Sequence, residues 1–426
     1  MVYITKSSGM GREAVKGRGW GSVKRNVIQH IKINNKEYDP DVADNVSENT
    51  IICFIMNPGA DFRSSGGYLI RRMLFGLLFA ILPMTAWCGV PADASTVDPP
   101  PERVSLFPLY LRYSSQAGRD LIGATTDESG VEKELARLSD RLRPFLINAT
   151  TGKQVIDAFN RVLLKEEGYS YDGLSGNPEN FLLGSVLSRK RGNCLGLSML
   201  YLALAERLSV PFRGACVPSH CFVRYEGKGD VRNVELAARG EEWSDERYRS
   251  EFRIVATRPY LRSLSEAEML GVLLKSLGAA YSKVGREEQA LLLYDEALRL
   301  FPRMPEAHFN SGISLQRLGR YDEAIAGYRG ALSLDPDLAP ARDNLGIVLA
   351  MGGKFSEAIA EGRRAVALEP WNVAMRGNLA FTYYAAGNIE EGIREFRKVV
   401  EAAPGNPRAR AGLAMSYAAL GRDEGR

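Results

Sequence analysis

The chain contains very little histidine, with three residues among 426, namely His30, His220 and His308. An active site that needs an imidazole base therefore has few candidates for it. The chain also lacks an excess of charge, because 55 Lys and Arg residues nearly balance 51 Asp and Glu residues and leave a net charge of +4. No basic block is interleaved with aromatic residues either, so the composition argues against nucleic-acid binding and predicts an ordinary mixed-charge surface.

The chain also lacks an apolar run of the roughly 20 residues that a transmembrane helix needs. The best candidate, residues 73–83, is shorter and ends at a proline. It follows Arg71 and Arg72 and precedes a small-x-small sequence ending at Ala94, so residues 69–94 are predicted to be a secretory signal peptide. An uncleaved membrane anchor is the alternative. Either interpretation predicts an exported protein, periplasmic or membrane-anchored and facing the periplasm.

The regions on either side of this signal have little predicted structure. Residues 1–68 show no persistent periodicity and have no assigned domain. Because a signal so far inside a chain is unusual, we expect an internal natural start, at Met56 or Met73, after an over-extended reading frame. Residues 95–108 are rich in proline and predict a linker, and residues 109–265 are the first predicted domain.

The centre of this domain is predicted to be a buried helix, residues 194–208, that begins with a cysteine. Asn193 is a suitable N-cap, and apolar residues fill nearly every later position. The positive end of the helix dipole lowers the pKa of Cys194 and favours its thiolate, which is the nucleophilic form. Cys194 is therefore a candidate nucleophile, and a small buried residue at the start of a core helix is the alternative.

Two strand-like runs follow this helix, and His220 begins the first. A two-residue loop at Gly227 and Lys228 is typical of a type II′ hairpin and places Glu235 directly opposite His220. In that position the carboxylate can orient the imidazole. A three-residue loop would place Leu236 there instead, and the sequence leaves the register open.

Four segments in this region are informative together. They read Gly-Asn-Cys-Leu-Gly-Leu-Ser at 192–198, Leu-Ala-Glu-Arg-Leu at 204–208, Val-Pro-Ser-His-Cys-Phe-Val-Arg-Tyr at 217–225 and Asn-Val-Glu at 233–235. They resemble the bacterial transglutaminase-like domains that are often joined to tetratricopeptide repeats. The resemblance implies an α+β papain-like core with a Cys–His–acid triad. It implies Cys194 as the nucleophile, His220 as the base and Glu235 at the place where many relatives have aspartate.

Two further features of the site are left open by the sequence. The chain keeps three cysteines beyond the predicted signal, and an odd number in an exported protein indicates a free thiol. A disulfide between Cys216 and Cys221 would leave Cys194 reduced, and three free thiols are the alternative. An oxyanion hole would use the Cys194 backbone N–H and a second donor, for which Asn180 is a candidate unless it caps a helix.

The last third of the chain repeats with a period of 34 residues. Proline recurs at the end of each unit and glycine at a fixed position within it, at Pro302, Pro336, Pro370 and Pro404 and at Gly285, Gly319, Gly353, Gly387 and Gly421. This is the tetratricopeptide period. Residues 266–426 are therefore predicted to form an all-α solenoid of four repeats and a capping helix.

Asparagine follows the same interval on the first helix of three repeats, at Asn310, Asn344 and Asn378. In related arrays such asparagines hold the backbone of an extended peptide on the concave face, since an amide both donates and accepts hydrogen bonds. A bond to the neighbouring helix is the alternative, and the sequence favours neither.

These features predict an exported thiol-dependent hydrolase or acyltransferase that acts on a peptide or isopeptide amide through a Cys194 thioester. The repeats would recruit a protein or peptide partner. The alternative is a non-catalytic peptide-binding scaffold in which the Cys–His arrangement is inherited structure. No cofactor or metal is predicted. Water access to the thioester would decide between hydrolysis and transfer to an amine.

Overall fold

The computed structural model describes residues 105–173, 176–227, 229–254 and 260–421. The unassigned residues 1–68, the predicted signal peptide or anchor at 69–94 and most of the predicted linker at 95–108 lie outside the described residues. Within the described ranges, every helix is too short or too polar to serve as a membrane span.

The first domain opens with helices. Their bounds are Leu106–Ile122 (α1), Glu128–Ile147 (α2) and Gly152–Phe159 (α3), and a π-helical stretch, Asn160–Glu166, continues α3. Helix α1 includes the last residues of the predicted linker. Pro108 does not interrupt it, because the first-turn N–H groups of a helix have no intrahelical partner to lose.

A short parallel pair of strands leads to the cysteine helix. Strand β1 (Ser170–Tyr171) pairs with β2 (Arg191–Gly192), and a 3₁₀ turn (Pro178–Asn180) and α4 (Leu183–Arg189) lie between them in the chain. Helix α5 (Cys194–Leu208) follows β2 after one residue, with the bounds that the sequence predicts. Every residue from Leu195 to Ala205 is buried, so α5 is the central helix of the domain.

The larger sheet covers α5. Its strands are Phe212–Val217 (β3), His220–Gly227 (β4), Asp230–Glu235 (β5), Glu241–Trp243 (β6) and Ser263–Leu264 (β7), in the antiparallel order β6-β5-β4-β3-β7. Leu197, Val223 and Val234 are completely buried in one shared core. A short helix, α6 (Asp245–Glu251), follows β6. This arrangement confirms the predicted α+β class.

The β4–β5 hairpin differs from both predicted registers. Val223 pairs with Val234 and Gly227 with Asp230, so the two loop residues lie one position later than predicted. Val234 is opposite Val223, so the next residue, Glu235, is not opposite His220. The physical reason is Gly229, whose φ of +76° places it in the left-handed region that glycine adopts without steric cost.

A run of helices forms the second part of the described chain. Their bounds are Glu266–Lys283 (α7), Glu287–Leu300 (α8), Pro305–Arg317 (α9), Tyr321–Leu334 (α10), Ala339–Met351 (α11), Phe355–Leu368 (α12), Val373–Ala385 (α13), Ile389–Ala402 (α14) and Pro407–Ala419 (α15). The glycines that recur every 34 residues lie in the turns inside each helix pair, with φ between 74° and 79° at Gly285, Gly319, Gly353 and Gly387. The predicted solenoid of paired helices is confirmed.

Candidate active site

Cys194 occupies the first position of α5. The Asn193 side chain caps the helix by accepting the N–H of Gly196 at 2.9 Å, and the Asn193 backbone N–H donates to the Asn180 carbonyl at 2.9 Å. Gly196 permits this close approach, because a Cβ there would lie 2.1 Å from that carbonyl oxygen. The start of α5 is thus fixed against the 3₁₀ turn, with the thiol at the positive end of the helix dipole.

His220 begins β4, directly after a tight turn. Val217 pairs with His220, so Pro218 and Ser219 form the turn, and Ser219 has a φ of 60°. Phe252 stacks on the imidazole, with ring centroids 5.0 Å apart and planes inclined by 20°. The ring is therefore held by the turn that precedes it and by an aromatic face.

Glu235 ends β5, and only 1% of the residue is exposed. Its Oε2 lies 2.7 Å from Nε2 of His220 and accepts the O–H of Tyr248 at 2.8 Å. Its Oε1 accepts the N–H of Ala237 at 2.8 Å. These three contacts fix the carboxylate in an orientation that in turn holds the imidazole.

The Cys194 side chain hydrogen-bonds His220 and the backbone N–H groups of Leu195 and Cys221. Burial acts to raise the pKa of Cys194, but the bond to His220, its positive charge and the two N–H groups outweigh burial and lower that pKa. Burial acts to lower the pKa of His220, yet Cys194 and Glu235 raise it to about 9. Both shifts favour a thiolate–imidazolium pair at neutral pH.

Strand geometry explains why the N–H of Cys221 reaches the thiol. Cys216 and Cys221 are opposite each other in the β3–β4 ladder, next to the pair that closes the turn. Because hydrogen-bonded and non-hydrogen-bonded pairs alternate in such a ladder, the N–H of Cys221 points away from β3. Strand β5 pairs with β4 only from Val223 onward. The sulfur of Cys194 therefore lies where β5 has ended.

Of the two alternatives that the sequence left open, a disulfide or three free thiols, the structure has the disulfide. Cys216 and Cys221 form a disulfide, with Cα atoms 4.2 Å apart. Cys194 is the free cysteine of the described residues.

Asn180 does not have the capping role considered from the sequence, since the N-cap of α5 is Asn193 and that of α4 is another residue, and its place in an oxyanion hole stays a prediction. Its side-chain oxygen accepts a hydrogen bond from Arg189 at 3.1 Å, and its amide nitrogen lies 3.5 Å from the Asp172 carbonyl. The N-cap position of α4 is Leu182. The donors that reach the Cys194 side chain are instead backbone N–H groups, which no sequence motif marks.

Two aromatic residues that support the site were missed from the sequence. Tyr248 is completely buried and stacks on Phe222, with centroids 4.1 Å apart. Burial and the neighbouring Glu235 raise the pKa of Tyr248 far above its ordinary value, so its O–H remains a donor. Tyr248 and Phe252 are four residues apart at the end of α6, and this i, i+4 aromatic pair is the signal that could have found them.

Tyr171 is a partly exposed residue near the site. The residue is 40% exposed, in contrast to the buried Glu235. Burial and then the negative charges of Cys194 and Glu235 raise the pKa of the Tyr171 phenol, which indicates that the ring is close to both groups. No group of three or more potential metal-ligating side chains occurs in the parts of the chain that are described.

The repeat asparagines are engaged with neighbouring helices at two of their three positions. Asn378 donates to Asp343 in the preceding repeat at 2.9 Å, and Asn344 hydrogen-bonds the Tyr328 side chain. Asn310 is half-buried on α9. The structure thus places the three residues at one repeat position but apart from Cys194, His220 and Glu235, which it brings together.

Two families of domain are matched by this chain. Residues 129–274 match the family described as the transglutaminase-like superfamily, and tetratricopeptide-repeat families match residues 276–339, 312–370 and 349–403. The chain therefore carries a transglutaminase-like domain followed by tetratricopeptide repeats, as the sequence predicts.

Some curated proteins are similar in sequence to parts of this chain. A UPF0162 protein of Xylella fastidiosa is 27% identical over 172 residues, which are 37% of this chain and 59% of that protein. The chain thus spans 59% of the length of this curated relative. F-box only protein 21 of Mus musculus is 39% identical over 75 residues, which are 17% of this chain and 12% of that protein.

Some solved structures are similar to part of this chain. MamA from Desulfovibrio magneticus RS-1 is 24% identical, covers 35% of this chain and 85% of its own, and has a TM-score of 0.34. YrrB, described as a tetratricopeptide-repeat protein with an unusual peptide-binding site, is 24% identical, covers 36% of this chain and 80% of its own, and also has a TM-score of 0.34.

Proposed function

We propose that this protein is a thiol-dependent hydrolase or acyltransferase that acts on a peptide or isopeptide amide. The continuous chain of contacts from Cys194 through His220 to Glu235 supports this function. The thiolate attacks the amide carbonyl, and the imidazolium gives its proton to the leaving amine. Glu235 keeps the ring oriented and stabilises its positive charge.

The second half-reaction releases the acyl group from Cys194. Water or an amine attacks the thioester, His220 accepts the proton of the attacking group, and the sulfur leaves as the thiolate that began the cycle. Water gives hydrolysis and an amine gives transfer.

A generic acyl donor tests this chemistry without knowledge of the natural substrate. With p-nitrophenyl acetate, we expect a burst of about one p-nitrophenolate per chain and an acetyl group on Cys194, detected by mass spectrometry. Cys194→Ala should abolish the burst, and His220→Ala should slow it by roughly 10²-fold or more. Added primary amine that accelerates deacylation would indicate transfer rather than hydrolysis.

A folded protein that forms no acetyl-Cys194 would contradict the enzymatic function. It would favour the non-catalytic scaffold, in which the same fold positions the repeats. Circular dichroism on each variant is the control for folding.

We also propose that the repeats recruit a protein or peptide partner. The three asparagines at one repeat position support an extended peptide held by its backbone, although Asn344 and Asn378 also bond their neighbours. A partner can be isolated by affinity capture with the inactive variant Cys194→Ala. We expect replacement of Asn310, Asn344 and Asn378 by Ala to weaken binding of that partner. Three lost hydrogen bonds at about 0.5–1.5 kcal/mol each correspond to roughly one to three powers of ten in Kd. A lowered Tm with unchanged affinity would assign the asparagines to structure alone.

We propose, finally, that the chain is exported. The Cys216–Cys221 disulfide supports this location, because disulfides persist mainly in oxidising compartments. The predicted signal at 69–94 agrees with it. N-terminal sequencing of the native protein should find a start near Ser95 if the signal is cleaved, and a mature protein beginning at Met1 would contradict the predicted signal.

A further inference from the structure

We propose that the Cys216–Cys221 disulfide is a redox site that a dithiol reductant opens, and that the oxidised hairpin is the form in which Cys194 is activated. This regulation rests on the proposed function of the same site. It concerns a pair of cysteines that take no part in the acyl chemistry.

The disulfide encloses the turn that carries the imidazole. It joins residues five positions apart, and His220 lies inside the loop that it closes. Cys221 itself supplies a backbone N–H to the side chain of Cys194. Two of the groups that stabilise the thiolate therefore belong to the segment that this bond constrains.

Few backbone hydrogen bonds to other strands hold the same end of the hairpin. Strand β5 pairs with β4 only from Val223 onward, and β7 pairs with β3 only at Gly214 and Ala215. Beyond these residues, one backbone hydrogen bond of the described residues links β3 to a neighbouring segment: the Leu261 N–H donates to the Cys216 carbonyl at 3.3 Å. The disulfide thus adds a covalent link to the last two pairs of the β3–β4 ladder, Cys216–Cys221 and Val217–His220, and its loss should let the turn move more freely.

The two cysteines differ in exposure. Cys221 is 6% exposed and belongs to the core, whereas Cys216 is half-buried and the turn residue Ser219 is exposed. A reductant thiolate would therefore attack the Cys216 sulfur and form a mixed disulfide, and Cys221 would leave as a thiolate and take up a proton. The second thiol of the reductant then displaces Cys216 as a thiol. The protein disulfide gains two electrons, and the dithiol is oxidised to its own disulfide.

Opening the bond should reduce the reactivity of Cys194 without abolishing it. Glu235 and Phe252 would still contact the imidazole, so His220 would lose only the constraint from the turn. The N–H of Cys221 would lose its fixed direction as well. We expect the thiol to become more nearly ordinary, with a lower thiolate fraction at mildly acidic pH.

The test compares the two redox states of the full chain. Cys194 alkylation by iodoacetamide is followed at pH 6.5 by mass spectrometry, before and after treatment with dithiothreitol and its removal. We expect the rate to fall about tenfold on reduction and to recover on reoxidation. The double variant Cys216→Ser/Cys221→Ser should react at the reduced rate under both conditions, and circular dichroism controls for its fold.

Each other outcome is decisive. A fast rate that reduction leaves unchanged would refute the redox regulation while the proposed function stands. A rate that is ordinary even in the oxidised chain would refute the proposed function itself. A purified oxidised chain in which Cys216 and Cys221 are both alkylated would also refute the regulation. If the double variant does not fold, the wild-type comparison still decides.

Discussion

At pH 6.5, iodoacetamide is expected to alkylate Cys194 about ten times faster than it alkylates an unperturbed thiol such as glutathione. An unperturbed thiol with a pKa near 8.5 is only about 1% thiolate at that pH. A cysteine held largely as thiolate by His220 gains up to about 100-fold in the reactive form. Part of this gain is lost, because a thiolate of lower pKa is a weaker nucleophile. A net advantage of about tenfold remains.

The dependence of this rate on pH distinguishes an ion pair from a merely exposed thiol. The pKa of Cys194 is lowered and that of His220 is raised to about 9, so the thiolate–imidazolium pair spans neutral pH. The rate should be nearly constant through neutral pH and should change again near pH 9, where the imidazolium loses its proton. An ordinary thiol would instead show a rate that keeps rising up to about pH 8.5.

His220→Ala is the decisive variant for this prediction. It removes both the hydrogen bond and the positive charge that oppose the effect of burial on Cys194. Burial is then opposed only by the backbone N–H groups of Leu195 and Cys221, and the alkylation rate at pH 6.5 should fall to about that of an ordinary thiol. His308→Ala is a matched control, because that histidine lies on α9 in the repeats. Equal rates for wild type and His220→Ala would reject the ion pair.

The solenoid and the central helix were predictable from sequence because local rules determine them. A 34-residue period fixes the helix pairs, and the recurring glycines are required by the left-handed turns inside them. The cap at Asn193 and the continuous apolar run likewise fix the bounds of α5. Each of these signals comes from neighbouring residues.

The details of the site were not predictable in the same way. The register of β4 and β5 depends on which two residues take the loop, and Gly227 and Gly229 both fit a glycine turn. The observed register differs from the predicted one by two positions, and this difference leaves Glu235 on the same face of the sheet as His220, since side chains alternate with period two. That parity, and not the predicted cross-strand pair, brings Glu235 to His220. The roles of Tyr248 and of the Cys221 N–H depend on tertiary packing, which sequence spacing does not encode.

Glu235→Gln is expected to lower turnover on p-nitrophenyl acetate by roughly 10²- to 10⁴-fold. All three groups that contact this carboxylate can act as donors: the Nε2 of His220, the O–H of Tyr248 and the N–H of Ala237. A glutamine has one oxygen and one NH₂ in place of two oxygens, so it cannot accept from all three donors as the carboxylate does. The imidazolium also loses its negative partner. The variant should therefore lose both the orientation and the charge stabilisation of the base.

The same substitution should lower stability and the pKa of His220. A buried donor that loses its acceptor costs about 1–3 kcal/mol, so a lower Tm is expected. Since Glu235 contributes to raising the pKa of His220 to about 9, its neutralisation should move that pKa toward the ordinary value. Titration of the histidine NMR signals can follow this change, because the chain has only three histidines.

Two matched variants separate the role of the carboxylate from general damage to the site. Glu241→Gln changes the residue paired with Glu235 on β6, where the side chain is 59% exposed, and should leave turnover and Tm close to wild type. Tyr248→Phe removes one donor but keeps the bond between Glu235 and His220, so we expect at most about a tenfold loss of turnover. If Glu235→Gln retained wild-type turnover, another group would have to orient His220. Asn233 is a poor substitute, because its amide is bonded to Trp243 and Asp245.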